Sequence, residues 1–291
     1  MTVHDTLAVI GGNGAHTLLR EKAQSFKRLG PAPTPFGLSA ALYRVRLVDA
    51  HFLFLPRHGE TGCEVAAPWV NYRANIYSLK DQGVTRILSW SGPGAIDNSL
   101  KIGEYVLPHD LIDDTRGRES SFYKSTGLGS LRHHPVFCPD MHDAAVVTFS
   151  QLRLPFRPEG TYLCTQGPRL ETAAEIRRYR DWKAHLVGMT LAPECFLARE
   201  LEMCYHPICY VTGYAEGVRQ RSGAAGEVLG GMVEAAEREL MEQAVVRFLD
   251  IAATLFRALP RDRNCPCRVA MERYRSEARI GEDWHTWIGK P

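Results

Sequence analysis

Short β-rich apolar runs alternate with amphipathic stretches along most of the chain. "TLAVIGG" reads as a first strand breaking into a glycine turn, and "ALYRVRLV" and "HFLFLPRHG" as a hairpin-like pair rich in β-formers. In "WVNYRANIYSLKDQG" the apolar positions Val70, Ala74 and Tyr77 fall at helical spacing, with a glycine stop at Gly83. The alternation continues with strands in "RILSWSG", "EYVLPHDLI", "TYLCT", "HLVGM" and "PICYVTG". Helices are expected in "MHDAAVVTFSQL", "ETAAEIRRYRDW" and "APECFLARELEM". A long amphipathic helix is expected from about Gly226 to Leu259, and a polar tail, residues 260–291, follows it. Such alternation predicts an α/β layer architecture with a mixed central β-sheet flanked by helices. No repeat, low-complexity tract or linker divides it, so one domain covering 1–291 is expected.

Length and composition agree with that picture: 291 residues bury a substantial core, and 45% hydrophobic with 23% charged residues is ordinary for a globular chain. A formal net charge of +2 provides no global field to recruit nucleic acid, although a local basic cluster suffices for a small polyanion. No apolar run is long enough to span a bilayer, and the N-terminus has neither the basic nor the long apolar region of a secretory signal. The eight cysteines are mostly spread singly through apolar segments, which favours reduced thiols and a cytoplasmic location. Cys265 and Cys267 in "CPC" are the exception. As a zinc site the pair lacks two further ligands at convincing spacing, so no metal site is expected; a local disulfide or two free thiols remain.

In an α/β fold, ligands bind beyond the strand ends, so the residues that follow each strand are the candidates. After the first strand comes "GGNGAH", with Asn13 among glycines. It fails the dinucleotide pattern because Thr17 stands at the third glycine position, yet its backbone N–H groups suit an anion or simply a tight turn. After "HFLFLP" come Arg57 and His58, a planar donor fork beside a second donor, or else a solvated basic turn. After "RILSW" come Ser91 and Gly92, and after "HLVGM" comes Thr190. Small donors recurring at one topological place describe a tetrahedral oxyanion site such as phosphate. The P-loop, G-x-S-x-G and H-E-x-x-H patterns are all absent, so phosphate is expected as a reactant rather than as part of a covalent mechanism.

Taken in order, "VIGGNG", "TPFG", "PRHG", "VNYRANI", "LIDDTRGR", "TQGPRLETAAEI" and "VGMTLAPE" resemble the trimeric purine nucleoside phosphorylase and methylthioadenosine phosphorylase family. The match runs from about residue 7 to 250, and "TQGPRLET" looks most like the bacterial methylthioinosine phosphorylase branch. The resemblance implies a homotrimer and reversible phosphorolysis of a purine nucleoside to free base and ribose 1-phosphate or its 5-thio analogue. It implies no cofactor beyond inorganic phosphate as co-substrate. Residues matching the family's phosphate ligands are Asn13, Arg57, His58, Ser91, Gly92 and Thr190. Met189 matches the methionine under the ribose, Gly92 and Pro93 the sugar–base junction, and Leu170 and Glu171 the surroundings of the purine. His58 and Glu171 are the candidate catalytic residues, while Arg169 is expected to hold the turn.

One departure stands out. In "VTGYAEG", Gly213 occupies the position where the family carries the Asn or Asp that protonates or polarises the leaving purine, and Ala215 stands where some members have a second Asp. Loss of one preorganised donor costs roughly two to three orders of magnitude in rate. Three readings follow: recognition by Glu171 with water or Glu216 as proton source, an unusual nucleoside that fills the space, or a weakened or non-catalytic phosphate- and nucleoside-binding relative. Because a carboxylate accepts from N1–H, Glu171 points to a 6-oxopurine, and the resemblance implies a nucleoside of the 5′-deoxy-5′-methylthio type.

Overall fold

The computed structural model describes residues 6–12, 14–219 and 235–288. The chain opens with β1 (Thr6–Gly11), α1 (Ala15–Lys22), the long hairpin β2 (Ser25–Thr34) and β3 (Gly37–Arg46), and then β4 (His51–Pro56). Next come α2 (Tyr72–Asp81), β5 (Val84–Ser91), β6 (Gly94–Ala95), β7 (Tyr105–Val106), β8 (Asp110–Asp114), α3 (Pro139–Gln151), β9 (Phe156–Arg157) and β10 (Thr161–Thr165). The order continues with α4 (Ala173–Asp181), β11 (Leu186–Gly188), α5 (Leu191–Glu200), β12 (Cys204–Tyr210), β13 (Gly213–Tyr214), α6 (Ala235–Val246), α7 (Phe248–Ala258) and α8 (Glu272–Ser276).

Two mixed sheets form rather than one. The eight-stranded sheet runs β2-β3-β4-β1-β5-β12-β7-β9, and the five-stranded sheet β13-β6-β11-β10-β8. At the centre of the larger sheet β1 pairs in parallel with both β4 (Ala8 with Leu53) and β5 (Ala8 with Ile87), and β5 pairs in parallel with β12. Every residue of β5 but Thr85, and every residue of β12, is buried, as expected of strands covered on both faces. In the smaller sheet β10 runs parallel to both β8 and β11. Parallel pairing is what matters for function, because it aligns the C-terminal ends of several strands along one edge.

Local chemistry sets the helix boundaries. Asn71 caps α2 by accepting from the Ala74 N–H at 3.2 Å, and the helix buries Ala74, Ile76 and Leu79. At α4, Thr172 accepts from Glu175 N while Glu175 accepts from Thr172 N, a reciprocal capping box. The helix therefore starts at Ala173, and Glu171 lies outside it rather than opening it. The helix expected over 226–259 is two helices, α6 and α7, meeting at Arg247, and its residues 226–234 lie outside the described residues. "EYVLPHDLI" divides into β7 and β8, because Pro108 interrupts the run. The long strand β2, with two prolines, was not evident from the pattern. The tail is not a separate appendage: Cys265, Cys267, Met271, Tyr274 and Trp287 are buried in the main cores.

Candidate active site

A cavity of about 500 Å³ opens where the C-terminal ends of β1, β4, β5, β10, β11 and β12 converge, a volume suited to a small ligand. Arg57, His58, Ser91, Gly92 and Thr190 all line it, together with Gly12. Leu170, Glu171 and Met189 form further parts of the wall. Asn13 lies outside the described residues. Pro93 and Gly213 stand just behind the wall rather than in it. Pro93 is buried and its carbonyl accepts from Thr212 N at 3.0 Å, while Gly213 is held in β13 against Gly94. The wall there is made by Gly92, Gly94, Thr212 and Tyr214.

Arg57 is almost wholly buried and forms a forked ion pair with Glu194: Nε to Oε1 at 2.7 Å and Nη2 to Oε2 at 2.8 Å. Nη2 also donates to Ser89 Oγ at 2.8 Å, and Tyr205 donates to Glu194 Oε2 at 2.7 Å. Burial opposes the charge on Arg57, but Glu194 more than offsets it and holds the guanidinium pKa above its ordinary value. Nη1 takes no part in this fork, and Arg57 is among the residues lining the cavity, so the pair sets a fixed cation at its wall.

His58 places Nδ1 at 2.8 Å from the Val65 carbonyl, which can only accept, so Nδ1 carries the proton. Burial first, and then the Arg57 charge, push the His58 pKa below its ordinary value. The ring is therefore neutral near pH 7, and Nε2 carries a lone pair.

The corner from Thr165 to Thr172 contributes Pro168, Leu170 and Glu171 to the cavity lining. Arg169 is exposed and turned away, pairing with Glu175 through two bonds at 2.7 and 2.8 Å, and it holds the turn. Glu171 faces inward; its Oε1 accepts from the Thr165 hydroxyl at 2.5 Å, which fixes the carboxylate and leaves Oε2 for a ligand. Gly167 adopts φ of +65°, a conformation that favours glycine, and a Cβ there would lie 2.5 Å from Met189 Sδ. The turn therefore packs directly on the methionine of the wall.

Several residues in the site were not singled out by sequence reading. Arg118 donates to the carbonyls of Thr165, Gln166, Met189 and Ala192 at 2.6–3.1 Å, tying the ends of β10 and β11 together. Its only sequence signal was its place in "LIDDTRGR". Tyr162 lies beneath the cavity with a buried hydroxyl that has no partner among the described residues. Glu216, which the sequence did offer as a proton source, also lines the cavity beside Ala215.

The sequence model of the phosphorylase superfamily matches residues 6–257. The chain belongs to that family. Among relatives of this superfamily member, the 6-oxopurine nucleoside phosphorylase of Pyrococcus furiosus is 35% identical over 91% of this chain and 97% of its own length. A probable S-methyl-5′-thioinosine phosphorylase of Methanothermobacter thermautotrophicus is 34% identical over 91% of this chain and 88% of its own. A methylthioadenosine phosphorylase from an antarctic soil metagenomic library superposes with a TM-score of 0.80 at 25% identity, covering 92% of this chain and 91% of that one. That phosphorylase thus shares most of the architecture on which the cavity is built.

Proposed function

We propose that this phosphorylase cleaves a purine nucleoside with inorganic phosphate, releasing free base and ribose 1-phosphate or its 5-methylthio analogue. The observation that carries this reading is the convergence of Arg57, His58, Ser91, Gly92, Thr190 and Glu171 on a single cavity. Phosphate sits against the strand-end donors, where Arg57 supplies fixed positive charge and Ser91 and Thr190 supply hydroxyls. Neutral His58 suits monohydrogen phosphate, because its Nε2 can accept the phosphate hydroxyl proton. A phosphate oxygen bonds to C1′ as the C1′–N9 bond breaks, and the bonding pair leaves with the purine, which takes up a proton. Bound phosphate also stabilises the positive charge developing on the sugar, so catalysis is chiefly positioning and electrostatics.

Glu171 accepts from the N1–H of a 6-oxopurine through Oε2, and Met189 and Leu170 pack around sugar and base. With no side chain at Gly213, the proton for the leaving base comes from a water held by the Glu216 carboxylate. The relatives named for 6-oxopurine nucleosides and methylthioinosine support this substrate class. A homotrimer and a cytoplasmic location belong to the same proposal. The first is supported by Trp69, which is 69% exposed and close to the cavity-lining Ala66 and Ala67, and the second by cysteines without disulfides.

The test is a panel of inosine, adenosine and their 5′-methylthio forms, incubated with and without phosphate, with free base quantified. Phosphate-dependent release, faster from the 6-oxopurine nucleosides, is expected, and Glu171→Gln should narrow the preference. No base from any nucleoside, or equal or reversed rates in direct competition, would overturn the reading.

A further inference from the structure

Four of the eight cysteines meet at one buried point. Cys138, Cys204, Cys265 and Cys267 are each at most 4% exposed, and their sulfurs all lie within 4.8 Å of one another. They come from three segments far apart in sequence. Cys138 precedes α3, and its N–H donates to the Tyr205 carbonyl at 2.9 Å, which seats it beside β12. Cys204 is the first residue of β12. Cys265 precedes the short 3₁₀ turn Pro266–Val269, which contains Cys267. "CPC" is therefore half of a cluster whose other half sequence spacing could not reveal.

The geometry matches a shared ligand better than a covalent bond or independent packing. The Cys204 and Cys265 sulfurs are 3.3 Å apart, far beyond the roughly 2.05 Å of a disulfide. A tetrahedral ion with metal–sulfur bonds of about 2.3 Å sets its sulfurs about 3.8 Å apart, within the spread of this cluster. The other four cysteines are dispersed and enter no such group among the described residues. Four soft sulfur donors in a tetrahedral set select zinc or ferrous iron and disfavour the oxygen-seeking Mg²⁺ and Ca²⁺.

We propose that these four thiolates form a structural metal site, taking Zn²⁺ in a closed tetrathiolate sphere. With all four positions filled by protein, the ion has no open place for water or substrate and takes no part in phosphorolysis. None of the four residues lines the active cavity. The site clasps the C-terminal tail to the body at the junction of α3 and β12. Beyond the clasp, Arg275 pairs with Glu202 at 2.7 Å, and Met271 N donates to the same carboxylate at 2.9 Å. Met271, Tyr274 and Trp287 then insert into the core. Metal binding deprotonates the thiols and joins segments separated by some sixty residues, so the ion contributes directly to tail docking.

The test begins with untagged wild-type protein purified without chelator. Elemental analysis should find one zinc per chain, released by a thiol-binding mercurial and absent from Cys265→Ser and Cys267→Ser. Replacement by Co²⁺ should give the sulfur-to-cobalt charge-transfer and intense visible bands of a tetrahedral thiolate. In the serine variants the tail should be cut by protease at least tenfold faster, while kcat for phosphorolysis stays near wild type. If those variants do not fold, the wild-type metal content and the cobalt spectrum decide alone. Metal-free wild-type protein after growth with added zinc overturns the proposal, whether alkylation of the denatured chain finds four free thiols or two disulfides among these residues.

Discussion

Replacing Glu194 by leucine removes the counter-charge of a guanidinium that has almost no contact with water. Both side chains of the Arg57–Glu194 pair are 1% exposed, and the carboxylate accepts two bonds from Arg57 and one from Tyr205. Breaking a buried pair on one side costs about 3–5 kcal/mol, because the remaining charge is left uncompensated. At about 2–4 °C per kcal/mol for a large domain, the midpoint of thermal unfolding should fall by about 6–20 °C. The double variant Arg57→Leu/Glu194→Leu removes both charges and should be more stable than either single variant. It should stay about 1–3 kcal/mol below wild type, because Tyr205 loses its acceptor. Urea titration of all four proteins, with slopes compared so that only midpoint changes are read as stability, measures this. The double variant should nevertheless lack phosphate-dependent turnover, since Arg57 is kept for its charge. A double-variant loss equal to the sum of the two single losses would refute this account of the pair.

Three further outcomes follow from named contacts. His206 is fully buried with neither ring nitrogen partnered among the described residues, and burial holds its pKa well below the ordinary value. The unfolded chain takes up this proton below about pH 6.5 and the folded chain does not, so its contribution is intact above that pH and lost as pH falls, by at most about 1.4 kcal/mol per unit. His206→Phe should flatten the fall in stability between about pH 6.5 and 5, and an unchanged slope in urea titrations across that range would contradict this. Arg118→Ala removes the ties between the ends of β10 and β11, so steady-state kinetics should show KM for the nucleoside rising more than KM for phosphate, whereas equal changes would count against a positioning role. Gly188→Ala would drive a Cβ into the Tyr162 hydroxyl beneath the cavity; loss of turnover with a lowered thermal midpoint is expected, and a wild-type profile would be inconsistent with the close packing of β10 on β11.

The strand-end donors were legible in the sequence because their position depends on a local rule: residues just past the C-terminal ends of parallel strands share one edge of a sheet. Arg57, His58, Ser91 and Thr190 follow that rule, and the structure brings them to one cavity. Glu194 and Arg118 were not legible as partners, because their contacts join positions far apart in the chain, Arg57 with Glu194 and Arg118 with Met189. The same holds for Cys138 and Cys204, each of which reads alone as an apolar packing residue. Periodicity placed α6 and α7 in one helix because the apolar stripe continues across Arg247, where the helix breaks. Arg169 and Glu171 show the opposite case. The sequence set them two residues apart beside a Gly-Pro turn, and the capping box at Thr172 turns one outward to Glu175 and leaves the other facing the cavity.

The most direct test of the central claim follows phosphate itself. In ³¹P NMR of wild-type protein with an inosine-type nucleoside, a sugar 1-phosphate resonance should grow in step with free base, at the expense of inorganic phosphate. Base released at the same rate without phosphate, or with no new phosphate ester, would contradict it.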